Sequence, residues 1–190
     1  MRKKVSLALV CSAFLLGACN TANSLLGTID PEPNQGPCPA AGSLYEAQRV
    51  VMLDETGQQK YVNIEYTGEI TAVELYCRYV EDSPITAQLD LTMSFGRGEA
   101  ATTDTADYQY FVAVTRTNRT TIEKEVFPIT VKFPRGEDVV TKRETVGNIV
   151  IPRADSSISG ANFEVLVGFE LTPEQRQFNE NGQRFLLQTR

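Results

Sequence analysis

The sequence contains no histidine and no tryptophan among its 190 residues. Without histidine, neither a Ser-His-Asp nor a Cys-His catalytic site can form, and a zinc site with imidazole ligands is excluded. The side chain that most often acts as a general base near neutral pH is also missing. The absence of tryptophan argues mildly against a platform on which sugars stack, although seven tyrosines are present. We therefore expect a protein that is not an enzyme and binds no cofactor.

Long apolar runs are scarce, and the one that exists lies near the start of the chain. Basic residues at positions 2–4 precede the apolar stretch 5–16. Twelve residues are too few to cross a hydrocarbon core of about 30 Å, so the stretch is typical of a signal peptide. The small residues Gly17 and Ala18 then precede Cys19.

The sequence Leu-Gly-Ala-Cys at positions 16–19 resembles the lipobox of bacterial lipoprotein signal peptides. The resemblance implies that Cys19 becomes the first residue of the mature protein and carries a diacylglycerol and an acylated amine. Several acyl chains anchor a protein stably, whereas a single chain binds only marginally. Asn20 stands where inner-membrane lipoproteins of enteric bacteria carry aspartate, so the outer membrane is favoured. A plain secretory signal is the alternative.

Positive charge is also scarce in the expected mature chain. Removal of residues 1–18 takes away three basic residues and no acidic one, which changes the net charge from −6 to −9. Nucleic acids and strongly anionic lipid surfaces favour basic patches. We therefore expect no nucleic-acid partner, and membrane contact through the lipid on Cys19.

Few cysteines remain once the signal peptide is accounted for. Of the four in the sequence, Cys11 leaves with the signal peptide and Cys19 carries the lipid. The remaining pair in an oxidising compartment predicts a disulfide between Cys38 and Cys77. Two buried free thiols are the alternative. A metal site is disfavoured, because no further potential ligands cluster near either cysteine in the sequence.

The expected organisation has three parts. Residues 1–18 form the signal peptide, residues 19–43 the lipidated N-terminus and a proline-rich tether, and residues 44–190 the folded domain. Proline blocks helix formation and favours extended, semi-rigid backbone, so the tether is expected to lift the domain off the bilayer.

From about residue 45, apolar residues alternate with polar ones, most regularly in Leu89–Phe95. Such alternation indicates strands with one face in a core and the other in water. Turn-forming residues separate the candidate strands, which are 47–53, 61–66, 72–79, 88–95, 108–116, 127–133, 146–151 and 163–171. Seven or eight strands predict an all-β fold, an antiparallel β-sandwich of immunoglobulin or fibronectin type. A lipocalin-like barrel is the alternative.

Two further features refine this prediction. Pro128 and Pro134 cannot donate to a β-ladder, so strand 126–133 is expected either to be an edge strand or to have its prolines at unpaired positions. Thr172 to Gln175 form a capping box with proline at the first helical position, which predicts one short helix reaching about Asn179. Phe178 is expected to pack this helix on the sandwich.

The candidate binding residues lie in three segments. Asp104 and Asp107 offer carboxylates that a Ca²⁺ ion could use, although an acidic solvated loop is the simpler interpretation. The segment 108–111 carries three aromatic residues, of which one is expected to be exposed if it serves an interface rather than the core. The charged segment 115–125 predicts a hairpin that is either a recognition tip or merely solvated.

The whole chain is similar to small envelope lipoproteins of alphaproteobacteria, which combine a lipobox, a proline-rich tether with one cysteine, and a β-domain. The segment Leu-Thr-Pro-Glu-Gln at positions 171–175 adds to this resemblance. We therefore predict a membrane-anchored lipoprotein, in the outer membrane facing the periplasm, that acts as a structural or protein-binding module for an envelope partner. The alternative is a small-ligand-binding or histidine-free hydrolytic periplasmic domain.

Overall fold

Eight strands and one short α-helix make up most of the regular structure of residues 34–183, the part of the chain that this computed structural model describes. The strands are β1 (Ala40–Ser43), β2 (Arg49–Leu53), β3 (Ile64–Arg78), β4 (Ile85–Arg97), β5 (Thr105–Arg116), β6 (Thr121–Lys132), β7 (Val139–Ile151) and β8 (Phe163–Phe169). The helix α1 (Pro173–Glu180) follows β8. One sheet has the order β1-β8-β5-β6 and the other the order β2-β3-β4-β7.

The inner faces of the two sheets form one core, as the alternating sequence pattern predicts. Phe95 of β4 packs against Tyr108 of β5 at a ring-centroid distance of 4.6 Å and against Phe169 of β8 at 6.2 Å. Every strand pair is antiparallel except β1 with β8. The predicted antiparallel β-sandwich with one short C-terminal helix is confirmed.

β3 is longer than the sequence suggested. The segments 61–66 and 72–79 were expected to be two strands separated by a turn at Thr67-Gly68, but Ile64–Arg78 is continuous. Thr71 is an extra residue between two pairs with β4 and forms a β-bulge. A bulge shifts the alternation by one, so the residues that face the core change from even to odd numbers. The candidate strand 61–66 alternated Val62 with Ile64 and Tyr66 on its core face, but Val62 lies in a one-turn 3₁₀ helix and is exposed.

α1 covers the outer edge of β2. Within the predicted capping box, the backbone N–H of Gln175 donates to the Thr172 hydroxyl. The side-chain amide of Gln175 donates to the carbonyl of Val51 at 3.3 Å, and that of Asn179 donates to the carbonyl of Arg49 at 2.8 Å. These two side chains, four residues apart on the helix, satisfy alternate carbonyls of an edge strand. Phe178 is buried against Val51, as expected.

The sandwich begins earlier than residue 44. Residues 40–43, assigned to the tether from sequence, form β1 and pair with residues 164–167 of β8 in parallel. The disulfide between Cys38 and Cys77, with Cα atoms 5.7 Å apart, fixes this segment to the end of β3. Within residues 34–183, no helix is both long enough and apolar enough to cross a membrane.

Candidate functional site

The predicted disulfide is present, and its surroundings are ordered by hydrogen bonds. The side-chain amide of Asn34 donates to the carbonyl of Cys77 at 3.1 Å, and its oxygen accepts from the backbone N–H of Tyr79 at 2.9 Å. The tyrosine hydroxyl in turn donates to the carbonyl of Pro37 at 2.8 Å. The pair Cys38–Cys77 is therefore structural. Cys19, the predicted lipidation site, lies outside the described residues.

The carboxylates considered as a calcium site are used locally. Asp107 accepts a hydrogen bond from the hydroxyl of Thr130 on the neighbouring strand at 2.5 Å. Asp104 accepts one from the hydroxyl of Thr105 at 3.1 Å. Residues 34–183 contain no group of three histidine, cysteine or acidic side chains placed to hold a metal ion.

The aromatic residues of β5 all belong to the packing of the sandwich. Tyr108 and Tyr110 face the core, and the hydroxyl of Tyr108 donates to the carbonyl of Thr67 at 3.1 Å. Phe111 lies on the outer face, where the ammonium group of Lys124 covers it at 4.4 Å from the ring centroid. None of the three is exposed, which favours the core interpretation of segment 108–111.

A cleft of about 370 Å³ lies between the start of β5, the end of β6 and the N-terminal part of α1. Apolar side chains and a few polar groups line it, as is common for ligand sites. Several of these polar groups already have structural partners. Asp107 accepts from Thr130, Gln175 bridges α1 and β2, and Glu170 forms an ion pair with Lys124. Little polar capacity is left to orient a ligand.

The opposite side of the sandwich is built differently, because both sheets end there in a long strand. β6 and β7 are the last strands of their sheets, and a narrow cleft lies between them. We call residues 121–132 and 139–151 the open edge. Three of its apolar side chains are solvent-exposed: Ile122 at 37%, Val126 at 43% and Val150 at 48%. The other side of the sandwich ends in the four-residue β1 and in β2, which α1 covers.

The direction of the unpaired backbone groups of β6 follows from its register. The carbonyl of Gln109 accepts from Glu170, so the backbone of Gln109 faces β8 rather than β6. Its partner across the ladder is Pro128, whose backbone therefore faces away from β5. Val126 and Lys124, two and four residues earlier in the same register, share this orientation. Because Pro128 faces away from β5, its missing N–H removes no hydrogen bond from the β5–β6 ladder. The predicted edge position of this strand is confirmed.

Charged side chains occupy the inner face of the open edge. Glu123 and Glu125 lie opposite the core residues Val114 and Val112 of β5, so they share the inner face. On β7, Glu144 lies opposite the core residue Leu91 of β4 and is half-buried. Three carboxylates therefore face one amine on this inner face, that of Lys142, which lies opposite Met93.

Tyr110 connects these carboxylates to the core. Its side chain is only 3% exposed, and its ring stacks on Phe127 at 5.3 Å. Burial, together with the negative charges of Glu144 and Glu125, raises the pKa of Tyr110 to about 12. The hydroxyl therefore stays protonated and can donate a hydrogen bond.

Sequence reasoning found the edge position of β6 through Pro128 but missed the charges that face inward. The segment 115–125 was interpreted as a solvated or recognition hairpin, and the structure confirms a hairpin between β5 and β6. The alternation along the sequence already placed Glu123 and Glu125 on the same face of the strand as Phe127 and Ile129. It was overlooked because the apolar pattern begins only at residue 127.

Comparison with known proteins adds little to this description. The sequence matches no protein-family model, and no curated protein matches it. Among solved structures, it is similar to the variable (V) domain of the Streptococcus agalactiae AgI/II polypeptide BspA, at 11% identity over 66% of this chain and 73% of that one. The TM-score is 0.18, so the similarity assigns neither a family nor a function.

Proposed function

We propose that the protein is a lipid-anchored envelope protein whose β-sandwich binds another envelope protein and catalyses no reaction. The open edge carries the proposal, because unpaired strand backbone and three exposed apolar side chains lie on one side of the molecule. Exposed edges are ordinarily covered or kept short, as β2 and β1 are here. A long edge left uncovered favours a partner.

The proposed compartment is the bacterial envelope, with the lipid on Cys19 in the outer membrane and the domain facing the periplasm. The lipobox resemblance supports the anchor. The Cys38–Cys77 disulfide supports an oxidising compartment, since such bonds are rare where thiols are kept reduced. Residues 20–33 would then act as the spacer between bilayer and domain, with a reach of at most about 50 Å.

The alternative function is binding or hydrolysis of a small ligand in the cleft beside α1. Its apolar lining and its volume of about 370 Å³ support this reading. The structural partners of Asp107, Glu170 and Gln175 weaken it, because these groups are already engaged. We therefore propose protein binding as the principal function.

Mild chemical crosslinking of the full chain in intact cells tests the proposal. We expect one envelope protein to be recovered in a stoichiometric amount after solubilisation. The matched control is the Cys19→Ser variant, which should lose the lipid anchor and with it much of the recovery. Repeated recovery of no stoichiometric envelope partner by the wild-type chain would contradict the proposal.

A further inference from the structure

We infer that the open edge binds an extended, cationic segment of the partner as an additional strand beside residues 123–127 of β6. The inference rests on the proposed protein-binding function and specifies the chemistry of the bound segment. It predicts lysine or arginine at alternate positions, with apolar residues between them. Main-chain hydrogen bonds would supply affinity, and the alternating side chains would supply specificity.

The backbone of β6 offers a regular hydrogen-bonding template. Lys124 and Val126 share the outward backbone orientation of Pro128, so their N–H and C=O groups face away from β5, whereas a register shift at Ile122 ends the regular ladder at its other end. The template ends at Pro128, which has no N–H to donate. β7 is less suitable, because two of its residues, Gly147 and Asn148, lie opposite one residue of β4. Asn148 has a positive φ of 58° at this bulge, which interrupts the regular edge.

The side chains of β6 define what the added strand must carry. Residues directly opposite Glu123 and Glu125 would lie on the inner face, near Glu144. Cationic side chains there would offset the three carboxylates, since opposite charges on paired strands attract. The intervening positions would lie on the outer face with Val126, which is exposed and apolar. Lys124 is already paired with Glu170.

Tyr110 brings a hydrogen-bonding group close to the carboxylates of the open edge. The hydroxyls of Tyr66 and Tyr108 each donate to a backbone carbonyl, at 3.0 and 3.1 Å. The Tyr110 hydroxyl makes no such bond within residues 34–183, and it is not one of the fully buried polar atoms there, so it remains accessible to solvent or a ligand. Its position beside Glu125 and Glu144 suits a ligand that brings hydrogen-bonding groups of its own.

A second copy of this chain is a poor occupant of the same edge. In a symmetric antiparallel pair of β6 strands, residues whose backbone faces outward would lie opposite residues of the same kind in the second copy. The odd-numbered residues, which include both glutamates, would then lie opposite odd-numbered residues. Registers centred on Glu123 or Glu125 place one glutamate of the first copy opposite the same glutamate of the second, and the register centred on Lys124 places both glutamates opposite glutamates. Like charges directly opposite are destabilising. The edge therefore selects against itself and in favour of a cationic strand.

Titration of the full chain in detergent with the peptide acetyl-Val-Lys-Val-Lys-Val-Lys-Val-amide tests the inference. A peptide with serine in place of lysine is the control. We expect saturable binding of the lysine peptide and much weaker binding of the serine peptide. Hydrogen exchange should slow at the amides of Lys124 and Val126, because these become donors in the new ladder.

Two variants separate backbone pairing from charge. Val126→Pro removes one outward N–H, as Pro128 already does two residues later, and should weaken peptide binding about tenfold. Its matched control, Val126→Thr, keeps the N–H and should bind normally. The double variant Glu123→Gln/Glu125→Gln should also lose about tenfold. Glu137→Gln, in the loop before β7, should not.

The inference is overturned if the lysine peptide does not bind, if Val126→Pro binds it as tightly as Val126→Thr, or if exchange slows only outside β6. It is also overturned if crosslinking in cells recovers the same partner equally from wild-type and Val126→Pro chains. In that last case the proposed protein-binding function stands. Failure of the wild-type chain to recover any partner counts against the proposed function itself.

Discussion

At the scale of single residues, the fold requires glycine where two backbone segments leave no room for a side chain. Gly98 follows β4, and its backbone N–H donates to the carbonyl of Glu65 at 2.8 Å. A Cβ atom at Gly98 would lie 2.0 Å from the carbonyl oxygen of Ile64. Glycine is therefore required by the close approach of two backbones.

Gly98→Ala should lower the free energy of unfolding by about 2–3 kcal/mol, because the backbone must shift to accommodate the methyl group. Gly147→Ala is the matched control, since nothing lies within 4 Å of its Cβ position. That variant should change stability by less than about 0.5 kcal/mol. Urea unfolding of both variants checks the prediction, and equal midpoints would contradict it.

Tyr110 should make the protein less stable at high pH. Burial and the two glutamates raise the pKa of Tyr110 to about 12, whereas a tyrosine in the unfolded chain ionises near 10. The unfolded state therefore loses its proton first, so the contribution is complete below pH 10 and falls as the pH rises toward 12. The free energy of unfolding, measured from pH 9 to 11.5, should fall less steeply in Tyr110→Phe. An unchanged slope would contradict the assignment.

At the scale of strands and helices, local sequence patterns predicted the features that are determined by residues close together in the chain. The capping box at Thr172 predicted α1, and Pro128 predicted the edge strand, because each depends on a few neighbouring residues. The alternation of β4 predicted a strand with one buried face. The disulfide was predicted from the cysteine count on the hypothesis that residues 1–18 are a signal peptide and Cys19 carries lipid.

The remaining features depend on partners far along the chain, so the sequence pattern did not predict them. β1 has the sequence Ala-Ala-Gly-Ser, which carries no alternation, and it is a strand because it pairs with β8. The continuity of β3 depends on the Thr71 bulge, which is set by the register of β4. The cleft between β6 and β7 is formed by strands from both sheets. The alternation of apolar and polar residues does not specify how the two sheets stack, so it did not predict the cleft.

The disulfide joins two such distant elements, the segment before β1 and the end of β3. The double variant Cys38→Ala/Cys77→Ala should lower the free energy of unfolding by about 4 kcal/mol in the chain-entropy account, since the closed loop spans about 40 residues. Thermal unfolding of the variant and of reduced wild-type protein should agree. A variant as stable as the oxidised wild type would show that the bond contributes nothing.

At the scale of the whole molecule, the two sides of the sandwich differ. One side ends in the short β1 and in β2 beneath α1, and the other ends in two long strands with unpaired backbone. The inner face of the open edge is acidic, in a chain whose expected mature net charge is −9. This asymmetry is what a module with one binding side requires.

The lipid anchor should depend on Cys19 alone. Cys19→Ser should abolish incorporation of labelled palmitate and leave the chain as an unprocessed precursor, because the thiol that accepts the lipid is gone. Cys11→Ser lies inside the apolar stretch of the signal peptide and should keep the label. Equal labelling of the two variants, measured after growth in radiolabelled palmitate, would contradict the predicted lipidation site.

The most direct test of the central claim is site-specific photocrosslinking in living cells. A photoreactive amino acid at Val126 or Val150 on the open edge is compared with one at Gln58, an exposed position in the connection between β2 and β3. If the open edge binds a partner, Val126 and Val150 should each give an adduct of one reproducible mass, and Gln58 should give none. Adducts from Gln58 alone, or equal adducts from all three positions, would contradict it.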